Sequence, residues 1–215
     1  MVEFTPEQET IRHTVNRICR EKLAPRAAEM DRTGEFPWDI LREFAQAGLT
    51  SMFFPVEYGG LGKDLITSTM VMALDKARLD AAAMGVGLAQ GALDYAVEYA
   101  KSRVQFKQPV AEFQGMQFLF ADMATRLAAA RALTYEAARR MEARDSSTSH
   151  FCAMAKLFAS DMAMQVTVDA VQALGGYGVV RDHPVERMMR DAKILQIFDG
   201  TNQIQRLIIA RGLLR

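Results

Sequence analysis

Residues 74–100 read Leu74-Asp75-Lys76-Ala77-Arg78-Leu79-Asp80-Ala81-Ala82-Ala83-Met84-Gly85-Val86-Gly87-Leu88-Ala89-Gln90-Gly91-Ala92-Leu93-Asp94-Tyr95-Ala96-Val97-Glu98-Tyr99-Ala100, and this stretch decides the fold. Only small residues interrupt it. It reads as one helix from about Asp64 to Ser102, roughly 55–60 Å long at the usual rise per residue. A helix several-fold longer than the ordinary one must pack against other long helices or kink, here near Gly85 and Gly87.

The rest of the chain follows the same pattern. Residues 103–109 form a basic, glycine-poor loop, and a further long helix runs over about residues 111–144. Ser146 or Ser147 caps the next, which reaches about Leu174. Gly175-Gly176-Tyr177-Gly178 breaks it, a short helix starts at Pro184, and a last one follows Asp199-Gly200-Thr201-Asn202. Before the long helix, Thr5-Pro6-Glu7-Gln8 carries a capping hydroxyl, a first-turn proline and a Gln placed to close a capping box. Ile11, Val15, Ile18 and Cys19 continue an apolar stripe to near Met30, with a turn at Asp31-Arg32-Thr33-Gly34. Pro37 opens a second helix, with Ile40, Leu41 and Phe44 on one side, that stops at Gly48. Residues 49–63 are irregular. No segment alternates with a period of two, and Val179-Val180 and residues 193–198 are too short to support a sheet. The expected fold is all-α, an antiparallel bundle of long helices, with a short N-terminal helical segment at 1–63 and a four-helix-bundle-like domain at 64–215, packed as one unit.

Composition narrows the function. Twenty-six basic and 26 acidic side chains balance, so no overall bias points toward nucleic acid or an anionic membrane. Cys19 and Cys152 have neither metal-like nor redox-like spacing and read as small core residues of a reduced, intracellular protein. No apolar run of about 18 residues or N-terminal leader pattern is present, so a cytoplasmic protein is expected, with no membrane partner. The 14 methionines read as flexible core filling.

Four segments hold candidate chemistry. Asp199-Gly200-Thr201-Asn202-Gln203 is a turn and an N-cap, or a carboxylate beside the amides of a helix N-terminus. In Arg103-Val104-Gln105-Phe106 the arginine either favours the helix dipole or, with the neighbouring aromatic, grips a pyrophosphate and packs a ring. Gln172-Ala173-Leu174-Gly175-Gly176-Tyr177-Gly178 is a glycine C-cap or a place where backbone approaches a flat ligand. Asp75 and Arg78 could form a surface pair three residues apart. No metal site is expected.

Taken together, Gly87-Leu88-Ala89-Gln90-Gly91-Ala92-Leu93, Arg103 to Phe106, Phe113-Gln114, Gln172 to Gly178, Met189-Arg190-Asp191-Ala192-Lys193 and Asp199 to Arg206 resemble, in order and spacing, the C-terminal helical domain of acyl-CoA dehydrogenases. Residues 3–62 resemble the family's N-terminal helices, ending in Glu57-Tyr58-Gly59-Gly60-Leu61-Gly62. The family's middle β-sheet domain has no counterpart, and a join within residues 63–73 would fuse two helices into the overlong one. The resemblance implies an FAD-dependent α,β-dehydrogenation of an acyl-CoA thioester. In that reaction a carboxylate takes the α-proton and the β-hydrogen leaves as hydride to the flavin.

Carried over position by position, the resemblance makes Asp199 the base where Glu is usual, while the alternative base position falls on Ala77. Because Asp is one methylene shorter, a bulkier or cyclic acyl group or a weakened activity is implied. Arg103, Gln105 and Phe106 would contact the flavin of a neighbouring subunit, and Gln172, Gly175 and Gly176 its ADP portion. Thr201 and Gln203 would touch the cofactor of their own subunit. Asp75 and Arg78 lie near the CoA portion of the substrate, and Phe198, where Tyr is common, and Gly200 flank the base.

Lys107-Gln108 replaces the family's usual Gly-Lys. If that glycine position needs a positive φ, Lys107 strains the loop by about 1–2 kcal/mol. Without the β-domain, FAD binding is expected to be weakened or lost, and apolar helix faces would be reburied by homo-oligomerisation into a dimer or tetramer. Two other readings stay open: a non-catalytic helical scaffold or oligomerisation module, natural or engineered, and a repurposed flavin- or CoA-binding bundle.

Overall fold

The computed structural model describes residues 4–50 and 70–214, which form eight α-helices joined by short irregular pieces. The chain divides into two compact units, residues Met1–Thr67 and Ser68–Arg215.

In the first unit, α1 (Pro6–Ile18) starts with the capping box that the sequence predicts. Gln8 N donates to Thr5 Oγ1 at 3.2 Å, and Thr5 N donates back to Gln8 Oε1 at 2.9 Å. Beyond Ile18 the chain stays helical, as a π turn (Cys19–Leu23), a 3-10 turn (Ala24–Arg26) and α2 (Ala27–Thr33). Pro25 explains the change of register, because it has no N–H to offer the α-helical ladder. The stop therefore falls at Gly34, with φ 70°, and Asp31, Arg32 and Thr33 belong to the helix rather than to the expected turn. Helix α3 (Trp38–Gln46) follows Pro37, and α1 and α3 pack on one another with Ile18 and Ile40 buried. Residues 51–63 of the irregular stretch lie outside the described residues.

The second unit holds the long helices α4 (Met70–Ser102), α5 (Gln114–Glu142) and α6 (Thr148–Leu174), then α7 (Val185–Leu195) and α8 (Asn202–Leu213). At 33 residues α4 is about 50 Å long. The predicted start at Asp64 lies outside the described residues, as does most of the interval in which a join is expected. Short connections make sequential neighbours antiparallel. Helix α6 is the centre of the unit and packs on α4, α5, α7 and α8.

Small side chains make that packing close. Ala81, Ala82, Ala89, Ala92, Ala96 and Ala100 of α4 are buried, as are Ala155, Ala159, Ala163 and Ala170 of α6. α4 and α6 come close at Gly85, where an added Cβ would sit 3.0 Å from the carbonyl oxygen of Ala159. Helix α4 runs through Gly85 and Gly87 without interruption. Of the two expectations for it, packing against other long helices therefore holds.

The expected loop at residues 103–109 contains a small hairpin, β1 (Val104–Gln105) paired antiparallel with β2 (Gln108–Pro109). A two-residue turn of type I′ needs positive φ at both central positions. Phe106 (φ 52°) and Lys107 (φ 71°) supply it, although neither residue favours that region. The strain expected at Lys107 has its backbone basis here. Among the described residues, no helix is long and apolar enough to cross a membrane.

Candidate active site

Two separate features of the second unit hold the candidate residues. The first is a cavity of about 630 Å³ where the end of α4, the hairpin and the glycine turn after α6 meet. Arg103, Gln105, Gln172, Gly175 and Gly176 all line it, together with Tyr99, Tyr177 and Asp182. Gly175 ends α6 with φ 61° and ψ −136°, a conformation open to glycine, so the chain turns there without a side chain in the way. The glycine C-cap read from the sequence is thus present, and it also forms a cavity wall.

The aromatic partner of Arg103 is not the one the sequence suggests. Phe106 is 88% exposed at the hairpin tip, outside the cavity lining, with its ring edge against Phe113. Arg103 instead places its guanidinium 5.1 Å from the centre of the Tyr177 ring. Behind that ring, His183 makes edge contacts with Tyr99 and Tyr177 and shares a 2.8 Å hydrogen bond between its Nδ1 and the hydroxyl of Tyr95. The cavity thus offers a cation, two tyrosine side chains and open glycine backbone. That donor set fits the pyrophosphate and adenine end of a dinucleotide.

The second feature is the turn between α7 and α8. Asp199 has φ 53° and is half-buried, and Gly200 follows with φ 90°. Thr201 caps α8 by accepting from Ile204 N at 3.4 Å. Phe198 packs on the bundle core, while Gln203 is exposed. Gln205, fully buried, donates from Nε2 to the carbonyl oxygens of Gly200 at 2.8 Å and Asp199 at 3.4 Å. Asp199 is therefore held through its backbone and presented ahead of a helix N-terminus.

Two charged groups that the sequence reading passed over bear on Asp199. Burial lifts the Asp80 carboxyl of α4 above its ordinary range, Lys76 opposes the shift, and the charge of Asp199 adds to it. Asp80 is three residues beyond Ala77, on the same helix face as the family's alternative base position. Burial pulls the Lys156 ammonium of α6 below its ordinary value, while Asp199 and then Asp161 draw it back up. The available signal was a lone lysine inside the apolar run Phe151-Cys152-Ala153-Met154-Ala155-Lys156-Leu157-Phe158.

Asp75 and Arg78 form their pair, but inside the protein rather than on its surface. Arg78 Nη1 donates to Asp75 Oδ1 at 2.5 Å, both residues are less than a tenth exposed, and Ser149 Oγ donates to the same carboxylate oxygen at 2.9 Å. Arg78 Nε is buried without a partner. Among the described residues, no group of three or more His, Cys, Asp or Glu side chains could hold a metal ion.

The sequence model of the acyl-CoA dehydrogenase C-terminal domain matches residues 67–214, and that of the N-terminal domain matches residues 5–105. The chain belongs to the acyl-CoA dehydrogenase family. Because the two matches overlap, no length remains between them for a middle β-domain.

The chain is 52% identical over 147 residues to the probable acyl-CoA dehydrogenase FadE25 of Mycobacterium tuberculosis, covering 68% of this chain and 38% of that one. It is 49% identical over 141 residues to the cyclohexane-1-carbonyl-CoA dehydrogenase of Geobacter metallireducens, with 66% and 37% covered. Among solved structures it is similar to the butyryl-CoA dehydrogenase of Megasphaera elsdenii, with a TM-score of 0.66, 47% identity, and 67% and 38% of the chains covered. The chain thus spans well under half the length of these relatives, and the likeness is carried by its helical part.

Proposed function

We propose that this acyl-CoA dehydrogenase homologue binds FAD and an acyl-CoA thioester on its helical unit, with the Asp199 carboxylate as the base that removes the α-proton. The observation that carries the reading is the convergence of Arg103, Gln105, Gln172, Gly175 and Gly176 on one cavity. These residues come from segments some 70 positions apart, and their union has no purpose in helix packing alone. Arg103 and Gln105 would hold the cofactor's phosphates and the glycine turn its adenosine part, with Phe106 exposed to meet a neighbouring subunit.

When bound, the flavin supplies the acceptor for the hydride that leaves the β-carbon. The chain's own part is to place a carboxylate at the α-proton and to keep water from it. Gln205 and Thr201 fix the backbone around Asp199, so the shorter Asp reaches its target by a set geometry rather than by a flexible arm. The missing methylene leaves room for a wide acyl group, and we assign the substrate to α-branched or cyclic acyl thioesters. The likeness to a relative named for cyclohexane-1-carbonyl-CoA supports that assignment. Exposed apolar side chains, among them Phe118, Val168, Ile204 and Leu207, support assembly into a homo-oligomer.

The test is a visible absorbance spectrum after incubation with FAD and gel filtration. Retained flavin that bleaches on addition of cyclohexane-1-carbonyl-CoA, and does not bleach in Asp199→Ala, is the expected result. A colourless protein, or bleaching that persists in Asp199→Ala, overturns the assignment.

A further inference from the structure

Among the described residues, Lys156 is the largest side chain with no solvent exposure. It lies a third of the way along α6 on the face shared by Cys152, Ala159 and Ala163, all of them buried. A lysine is almost never fully enclosed unless something retains it there, because desolvating an ammonium group is costly. Nothing in the packing of α6 calls for one.

Its Nζ donates to Asn202 Oδ1 at 2.8 Å. Asn202, itself buried, is the first residue of α8 and comes three positions after Asp199. A lysine can only donate, so it fixes which end of the Asn202 amide faces it. The other end is then free to donate from Nδ2 to Ser160 Oγ at 2.9 Å and to Asp161 Oδ1 at 2.7 Å. Asp161 Oδ1 also accepts from Gln196 Nε2 at 2.6 Å, and Gln196 O accepts from Asn202 N at 3.1 Å. The two ends of the segment carrying Asp199 are thus tied to one site on α6, at Gln196 before it and Asn202 after it.

We propose that Lys156 is the positioning residue of the Asp199 turn: its buried ammonium group, hydrogen-bonded to Asn202, anchors the start of α8 and brings a positive charge to the turn. The proposal deepens the reading of Asp199 as the base and rests on it for its functional meaning. The charged groups around Lys156 are Asp199 in the turn, Asp161 on α6 and Arg206 on α8, the last paired with Asp161 Oδ2 at 3.0 Å. Asp80 on α4 is close enough for the charge of Asp199 to raise its carboxyl further.

Two measurements on the full chain test this without requiring turnover. The first is an NMR titration of protein labelled at lysine Cε, with Lys156→Gln identifying the resonance. Lys156 is expected to titrate below ordinary lysines, and Asp199→Asn to move its midpoint further down, because a neutralising charge has gone. An unchanged midpoint in Asp199→Asn overturns the electrostatic half of the proposal.

The second is amide hydrogen exchange across residues 198–205. Lys156→Met, which fills the space but removes both charge and donor, is expected to speed exchange there about tenfold, the loss of one charge-assisted hydrogen bond. Lys156→Gln, whose amide can still donate to Asn202, is expected to keep most of the protection. Equal protection in wild type and Lys156→Met, or equal loss in both variants, overturns the anchoring half. Failure of acyl-CoA to bleach bound flavin would leave both readouts standing, so a wrong base assignment and a wrong role for Lys156 give different results.

Discussion

Gly200 and Gln205 fit together as backbone and clamp: Gln205 Nε2 donates to Gly200 O at 2.8 Å, and a Cβ on Gly200 would lie 2.8 Å from that same nitrogen. The clamp is possible only because Gly200 has no side chain and tolerates φ 90°. Gly200→Ala is expected to cost about 1–3 kcal/mol through backbone strain and a displaced Gln205. Urea unfolding measures the loss, and faster amide exchange at residues 198–205 would place it at the turn.

Gly85 and Gly87 are predicted to respond in opposite directions. An alanine at Gly85 meets the Ala159 backbone oxygen at 3.0 Å, whereas one at Gly87 meets nothing within 4 Å. Gly87→Ala should stabilise by about 0.5–1 kcal/mol through helix propensity alone. Gly85→Ala gains the same propensity but must push α4 and α6 apart, and a net loss of about 1 kcal/mol or more is expected. Urea midpoints for the pair check both signs.

The hairpin tip offers a stabilising change. Lys107 is exposed and holds φ 71° at no evident gain in contacts. Lys107→Gly should recover about 1 kcal/mol, or roughly 2–4 °C in Tm for a chain of this size. An unchanged or lower Tm would show that the positive φ is not a source of strain.

The two thiols should differ sharply in chemistry. Cys152 is fully buried, and its pKa is pushed up to about 12 by burial and then by Asp75, with Arg78 opposing. Cys19 is partly exposed, and burial raises it as well. A thiol reagent at pH 8 is expected to modify Cys19 slowly and Cys152 only after unfolding. Between the ordinary value of 9.0 and about 12 the unfolded chain releases the Cys152 proton that the folded chain keeps. Stability therefore falls as pH rises through that window. Cys152→Ala should flatten the alkaline arm of a stability–pH curve.

Much of the fold could be read along the chain because it depends on local chemistry. Thr5 and Gln8 meet within one helical turn, Pro37 opens a helix, and Gly34, Gly48 and Gly175 end helices or turns with positive φ. The Pro25 register change was less legible: proline announces a break, yet the chain kept its direction by tightening and widening successive turns. The hairpin at residues 104–109 was invisible because a two-residue ladder has no periodicity, and Phe106-Lys107 is an unusual pair for its turn. The surface pair expected of Asp75 and Arg78 was a correct spacing with the wrong environment, since sequence separation fixes which residues meet on a helix but not what covers them.

By itself the sequence determined that this protein is a bundle of long helices, where most of them end, and, through motif spacing, the family to which it belongs. The tertiary structure alone decided that Arg103 rests on Tyr177, that the hairpin and the α6 glycine turn share one cavity, and that Lys156 lies beneath the Asp199 turn. The division has a physical cause. Helix starts and stops are set by interactions within a few residues, whereas a buried charge is tolerable only where distant segments bring it a partner, and that partner emerges only once α6 and α8 have packed.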